Sequence, residues 1–151
     1  MKIGILSDTH GLLRPEVLNA LNGCDVILHG GDINKQAILD QLSEIAPVRV
    51  VRGNNDKEWA EKIPQELDFL LGSIRIFITH KKKDLPADLS PYDLVVIGHS
   101  HKYSESRVGK TLVLNPGSCG PRRFDQPVTL AIVRSDGNTL AVEKIDIPHQ
   151  K

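Results

Sequence analysis

Five short polar clusters, each set directly after an apolar strand-like run, constrain this chain more than any other feature. They are Ser7-Asp8-Thr9-His10 after Ile3–Leu6, Gly31-Asp32 after Val26–Leu28, and Gly53-Asn54-Asn55-Asp56 after Val48–Val51. Thr79-His80 follows Ile74–Ile78, and Gly98-His99-Ser100-His101 follows Val95–Ile97. Apolar runs of this length bounded by turn formers read as buried strands. Where such strands are parallel, their carboxyl ends open on one crevice, and ligands of open α/β sheets bind there. Clusters far apart in the chain then meet in space.

The intervening segments carry the pattern that a parallel sheet needs. Arg14–Leu21 has Val17, Leu18 and Leu21 at helical spacing behind Pro15, a residue suited to a first turn. Gln36–Ile45 repeats the pattern through Ala37, Ile38, Leu42 and Ile45 and is stopped by Pro47. With strands at Lys2–Ser7, Asp25–His29 and Val48–Val51, the first third reads strand–helix–strand–helix–strand, a parallel arrangement with helical crossovers. The remainder is richer in strands. Leu67–Leu71 and Ile74–Thr79 flank Gly72-Ser73, Ser104–Val108 and Thr111–Leu114 flank Gly109-Lys110, and Val128–Arg134 and Thr139–Ile145 flank Ser135-Asp136-Gly137-Asn138. These are hairpin signals. Leu94–Ile97 is a further buried strand. Parallel and antiparallel strands in near-equal share point to two mixed sheets packed face to face with helices outside.

At 151 residues the whole chain, 1–151, is expected to form one domain. Apolar residues make up 40% and charged residues 25%, ordinary for a globular protein, and the formal net charge is zero. A neutral chain lacks the basic field that non-specific nucleic-acid binding requires, so nucleic acid is not an expected partner. The run Lys81-Lys82-Lys83 is locally basic and reads first as a solvated loop. Cys24 and Cys119 have neither CxxC spacing nor the density of a disulfide framework. They read as reduced thiols of a cytoplasmic protein. No apolar stretch approaches a membrane span, and no signal segment precedes Asp8.

Each cluster has a bland reading. Asp8 and Asp32 are plausible helix N-caps, Gly53–Asp56 a polar turn, and His80 a satisfied core histidine. His99 and His101, two residues apart behind a buried strand, point more strongly to metal. Asp8 and His10, also two apart, would share one side of an extended strand end and so serve one ion. Together the clusters supply carboxylate and amide oxygens and four imidazoles. That inventory suits two transition-metal ions side by side, the equipment of phosphoester cleavage. A P-loop, a G-x-S-x-G elbow and a G-x-G-x-x-G fingerprint are all missing from the sequence.

The ordered set Asp8-x-His10, Gly31-Asp32, Gly53-Asn54-x-Asp56, His80 and Gly98-His99-x-His101 resembles the calcineurin-like metallophosphoesterase superfamily. The opening Ile-Leu-Ser-Asp-Thr-His-Gly and the late Asn115-Pro116-Gly117-Ser118 look like its small microbial, YfcE-type phosphodiesterase branch. The resemblance implies an α/β four-layer sandwich of two mixed sheets flanked by helices, with a dinuclear metal site at the strand ends. It implies that Asp8, His10, Asp32 and His101 hold one ion. Asp32, Asn54, His80 and His99 would hold the other, with Asp32 bridging. Manganese is the first expectation, with iron, zinc, nickel or magnesium as alternatives. The reaction expected is attack by a metal-bridging hydroxide on a small phosphodiester, centred on Asp32, Asn54, Asn55 and His99. Asn115, Gly117, Ser118 and Arg122, with Arg123, are expected beside the substrate, and Asp56 is expected to act as an acceptor behind the ligands. His29 and His149 are assigned to structure and to the tail.

Two departures stand out. Most of the superfamily has histidine where this chain has Asn55, and the small branch often has cysteine. An amide can donate a hydrogen bond to phosphate but cannot deliver a proton. Activity on esters with poor leaving groups is therefore expected to be weak. Lys81 follows His80 where glycine is usual. Two rivals share the fold: a phosphomonoesterase or nucleotidase, and a protein-binding scaffold like the retromer subunit, whose metal site is compromised. Here Asp8, His10 and His101 are all present, which separates this chain from the scaffold pattern. Homo-oligomerisation is left open.

Overall fold

The computed structural model describes residues 1–122 and 126–148; Arg123 and His149 lie outside them. Two five-stranded mixed sheets make up the fold. The first contains β1 (Lys2–Leu6), β2 (Val26–His29), β3 (Val48–Val50), β9 (Thr129–Asp136) and β10 (Thr139–Asp146), in the order β10-β9-β1-β2-β3. The second contains β4 (Glu66–Leu71), β5 (Ile74–Thr79), β6 (Leu94–Val96), β7 (Ser104–Val108) and β8 (Thr111–Asn115), in the order β4-β5-β6-β8-β7. Each sheet has a parallel heart, β1-β2-β3 in one and β5-β6-β8 in the other. Antiparallel strands flank both hearts. Hence all five apolar runs picked out from the sequence are parallel strands, and their carboxyl ends lie at the same side of the molecule.

The pleat divides the apolar residues between layers. Ile3, Ile5, Val26 and Leu28 of the first sheet meet Ile74, Ile76, Ile78, Leu94, Val96, Leu112 and Leu114 of the second, forming the buried core between the sheets. Leu6, Ile27, Leu130 and Ile132 face the other way, onto α1 (Pro15–Leu21) and α2 (Gln36–Ser43). The outer face of the second sheet, with Phe77, Val95, Ile97 and Val113, is covered by Leu85, Leu89 and Tyr92 from the connection after β5. Among the described residues that cover holds one 3₁₀ turn, Lys82–Asp84, and no α-helix.

All three hairpins form where the turn residues indicate. Gly72 and Gly137 open two-residue turns with φ near +60°, as a type II′ turn demands of its first central residue. The second helix stops two residues short of the expected Ile45. The Ser43 hydroxyl bonds back to the Leu39 carbonyl at 2.8 Å, and the chain turns through Glu44–Ala46 into Pro47. Neither Asp8 nor Asp32 caps a helix: Arg14 and Lys35 hold the N-cap positions, without a side-chain bond. Cys24 and Cys119 are free and buried. No helix among the described residues is long and apolar enough to cross a membrane.

Candidate metal centre

The loops after β1 and β2 leave their sheet side by side. Backbone N–H groups of Asp8, His10 and Gly11 donate to the carbonyls of Gly31, Asp32 and Ile33, each at 2.9 Å. This ladder continues past the strands and sets the first two clusters opposite each other. Asp8 and His10 are not on an extended end, as their spacing implied. Both have left-handed backbone, with φ of 56° and 46°. Asp32, His99 and His101 share that conformation, with φ of 59°, 74° and 63°. Asn34 is the only other non-glycine residue like them among those described. Left-handed backbone is uncommon outside glycine, although aspartate and histidine adopt it more often than most residues, and it collects at functional sites.

Two groups of side chains converge. In the first, Asp8, His10 and His101 bring one donor atom each within 4.8 Å of one another. The His10 and His101 Nε2 atoms lie 3.2 Å apart and face Asp8 Oδ1 at 3.7 and 3.4 Å. In the second, Asp32, His80 and His99 do the same. His80 Nε2 is 3.1 Å from Asp32 Oδ2, and Asn54 Oδ1 is 3.1 Å from His99 Nδ1. Asp32 Oδ2 is also 3.7 Å from His10 Nε2, so this one oxygen lies between the groups. All seven residues expected to ligate metal are brought together.

The orientation of these atoms fits a cation. Asp8 is fully buried, and its Oδ2 accepts from the Ser7 hydroxyl at 2.7 Å and the His99 N–H at 3.2 Å. Its Oδ1 has no hydrogen-bond partner and looks into the cluster. His80 Nδ1 donates to the Gly30 carbonyl at 2.7 Å, which turns Nε2 toward Asp32 without hydrogen-bond geometry. A ring nitrogen fixed through its partner nitrogen is the usual arrangement behind a metal-bound histidine. An orphaned buried carboxylate oxygen surrounded by imidazole nitrogens is costly unless a positive charge occupies the space between them. Mixed imidazole, carboxylate and amide donors suit divalent transition metals.

Electrostatics agree. Burial would raise the Asp8 carboxyl, but the His10 and His101 imidazoles outweigh it and hold the group well below the usual carboxylate range. Asp32 is lowered in the same balance, burial being overcome by His80 and the Asn55 N–H. Burial opposes the charge on His80, yet Asp32 and Asp8 raise it. His99 is lowered by burial and by repulsion from His80 and Lys81.

Asp56 does more than a polar turn residue. Its carboxylate accepts from four backbone N–H groups: Asp32 at 2.9 Å, Ile33 at 2.9 Å, Asn34 at 2.8 Å and Gly53 at 2.8 Å. It ties the loop carrying Asp32 to the loop carrying Asn54. Between them the chains touch so closely that a Cβ on Gly53 would overlap the Asp32 carboxylate and lie 2.5 Å from its backbone nitrogen. Asn55 donates through its backbone N–H to Asp32 Oδ1 at 2.9 Å and through its amide to Oδ2 at 3.4 Å. Its amide thus rests on the shared carboxylate.

The residues expected beside substrate are engaged with the protein. Asn115 donates to the Gly98 carbonyl and the Ser100 hydroxyl and accepts from the Gly117 N–H. The Ser118 hydroxyl donates to the Asp8 carbonyl at 3.0 Å. Asn115, Gly117 and Ser118 are all buried, whereas Arg122 is exposed. Three further residues support the site, and of these only His29 was assigned a structural role from the sequence. Ser7 holds Asp8. The Arg14 guanidinium donates to the Gly120 carbonyl at 3.2 Å. His29, fully buried under the site, accepts from the Gly31 N–H at 3.0 Å through Nδ1 and meets the Thr9 hydroxyl at 3.1 Å through Nε2.

A metal site of this layout, at the carboxyl ends of two mixed sheets, belongs to the metal-dependent hydrolases that cleave phosphoesters. Residues 1–138 match the Calcineurin-like phosphoesterase superfamily domain, and the chain is a member of that superfamily. It is 31% identical to a probable metallophosphoesterase of Methanothermobacter thermautotrophicus, over 96% of this chain and 92% of the relative. A solved archaeal phosphodiesterase superposes with a TM-score of 0.78 at 26% identity, covering 96% of this chain and all of the other (100%). Vps29 of Chaetomium thermophilum has the same fold, with a TM-score of 0.77 at 20% identity over 97% of this chain and 98% of the other.

Proposed function

We propose that this chain, as one domain over residues 1–151, is a dinuclear metal-dependent phosphodiesterase of the small microbial, YfcE-type branch. It acts in the cytoplasm on a small phosphoester, with manganese as the first candidate for both ions. The observation that carries the reading is Asp32 Oδ2, placed between two donor clusters at 3.1 Å from His80 Nε2 and 3.7 Å from His10 Nε2. Asp8, His10, Asp32 and His101 would hold one ion, and Asp32, Asn54, His80 and His99 the other. Such a pair of ions activates water near neutral pH and offsets the charge on phosphoryl oxygens.

The chain's own residues do the positioning. Ser7 and the His99 N–H turn one Asp8 oxygen away and leave the other aimed inward. Gly30 fixes the ring of His80. Asp56 sets the spacing of the two loops that bring Asp32 and Asn54 together. The Asn55 amide donates to the acidic oxygens of the site and has no proton to give a leaving group. Diesters with acidic leaving groups are the substrates this arrangement suits. The similarity to an archaeal phosphodiesterase supports the same choice.

The test is hydrolysis by metal-stripped protein across phosphodiesters, phosphomonoesters and cyclic nucleotides, with each divalent metal added back. Turnover of an aryl phosphodiester with manganese, abolished by Asp32→Ala, is the expected result. Turnover of monoesters alone would overturn the diester preference. Wild-type turnover in Asp32→Ala would remove the shared carboxylate from the mechanism.

A further inference from the structure

The run Lys81-Lys82-Lys83 is largely solvated, as its composition implies, with Lys82 and Lys83 exposed, but it also lines two pockets. Lys82–Asp84 forms a 3₁₀ turn that places Lys81 and Lys83 on one pocket and Lys82 on another. The first pocket has a volume of about 250 Å³ and opens directly beside the candidate metal centre. Asn54 and His80, both expected ligands, form part of its wall. Arg52, from the loop just after β3, lines the same pocket as the lysines.

Three cations therefore share one pocket, with Asp84 as the only acidic residue in its lining among the described residues. Arg52 and Lys81 are half-buried. Among the described residues, no ion pair forms at Arg52, Lys81, Lys83 or Asp84. Packing like charges together without partners is unfavourable unless an anion joins them. A guanidinium presents a planar fork that matches carboxylate and phosphate, and ammonium groups add point charge. The pocket is unsuited to an apolar or cationic substituent.

We infer that the Arg52–Lys81–Lys83 pocket binds a second anionic group, phosphate or carboxylate, on the non-scissile part of the substrate. This deepens the phosphoesterase reading and rests on it. The metal centre would take the scissile phosphoryl group while the pocket selects esters that carry another negative charge close by.

Isothermal titration calorimetry of the manganese-loaded protein tests this with ligands that cannot be hydrolysed. Propylphosphonate carries one anionic group, 3-phosphonopropionate adds a carboxylate, and propane-1,3-diphosphonate adds a second phosphonate. At least one doubly anionic ligand is expected to bind about tenfold more tightly than propylphosphonate, and whichever does so identifies the preferred group. Arg52→Gln and Lys83→Gln are each expected to shrink that gap about threefold while propylphosphonate affinity changes little. Equal affinity for all three ligands would overturn the inference, as would a gap that survives both substitutions together. Hydrolysis of an aryl phosphodiester, measured on the same samples, keeps the two claims apart. Turnover without an affinity gap refutes the pocket alone. A gap without diester turnover upholds anion binding by the pocket and refutes the phosphodiesterase reading alone.

Discussion

Replacing Asp56 by Asn tests whether the candidate site is built by its buried supports as well as by its ligands. The carboxylate accepts from Asp32 and Gly53 through Oδ2, and from Ile33 and Asn34 through Oδ1, at 2.8–2.9 Å. It is 8% exposed, so solvent cannot readily replace it. An amide preserves shape and keeps one acceptor. With its oxygen toward Asp32 and Gly53, its NH₂ faces two N–H groups of the Ile33–Asn34 backbone, and donor meets donor. Two bonds to a charged acceptor are lost and two become neutral. Bonds to charged groups contribute about 1.5–3 kcal/mol and neutral ones about 0.5–1.5 kcal/mol. Allowing for partial relaxation of the loops, Asn at position 56 is expected to cost about 3 kcal/mol in urea unfolding. Asp32 and Asn54 would lose their fixed separation, so manganese affinity is expected to fall about 10- to 100-fold, the range seen when groups behind metal ligands are removed. Competition with a fluorescent chelator measures that affinity. An unchanged urea midpoint together with unchanged manganese binding would refute the claim that Asp56 sets the loop spacing.

Three further outcomes follow from other contacts. Burial holds His29 down to about 4 from its ordinary 6.5, so the folded protein keeps it neutral where the unfolded chain protonates it. Its stabilising contribution is present above pH 6.5 and is lost as pH falls toward 4; at pH 4.5 the loss is about 2–3 kcal/mol. The stability difference between wild type and His29→Gln should narrow by that amount between pH 7 and 4.5, and a constant difference would contradict the assignment. Gly53→Ala forces a methyl group onto Asp32. It should cost about 1–3 kcal/mol by thermal unfolding, and metal retained after dialysis should fall below wild type; full retention would show that the two loops can move apart. Asn55→His supplies a group able to donate a proton, and should raise rates about tenfold or more for poor leaving groups and less for good ones. An equal change across a series of aryl leaving groups would count against the missing acid.

The order of elements and all three hairpins were readable from alternation, Gly-containing turns and the two helical patterns, because those signals are local. The ligand set was readable for a different reason. Each ligand follows its own apolar run, so parallel pairing alone suffices to bring them together. What escaped was non-local or conformational. Asp8 and His10 were expected on an extended strand end because alternation is the default there, but the loop's own ladder with Gly31–Ile33 turns both residues left-handed. The polar groups of Asn115 and Ser118 look free in the sequence and are spent on neighbouring loops, a matter that depends on contacts with Gly98 and Asp8. The pocket beside Lys81 and Lys83 was not legible, because Arg52, which also lines it, comes from the loop after β3 of the other sheet. Asp56 was visible as an acceptor, but the number of N–H groups it gathers was not.

The left-handed backbone at Asp8, His10, Asp32, His99 and His101 bears on how this protein can be engineered. Glycine adopts that conformation freely, and asparagine more easily than histidine does. A library sorted only for heat resistance would therefore enrich glycine and asparagine at those five positions. Its winners would be hardier molecules that no longer grip their ions. Any such campaign has to hold these positions constant or impose a second screen for bound metal at every round.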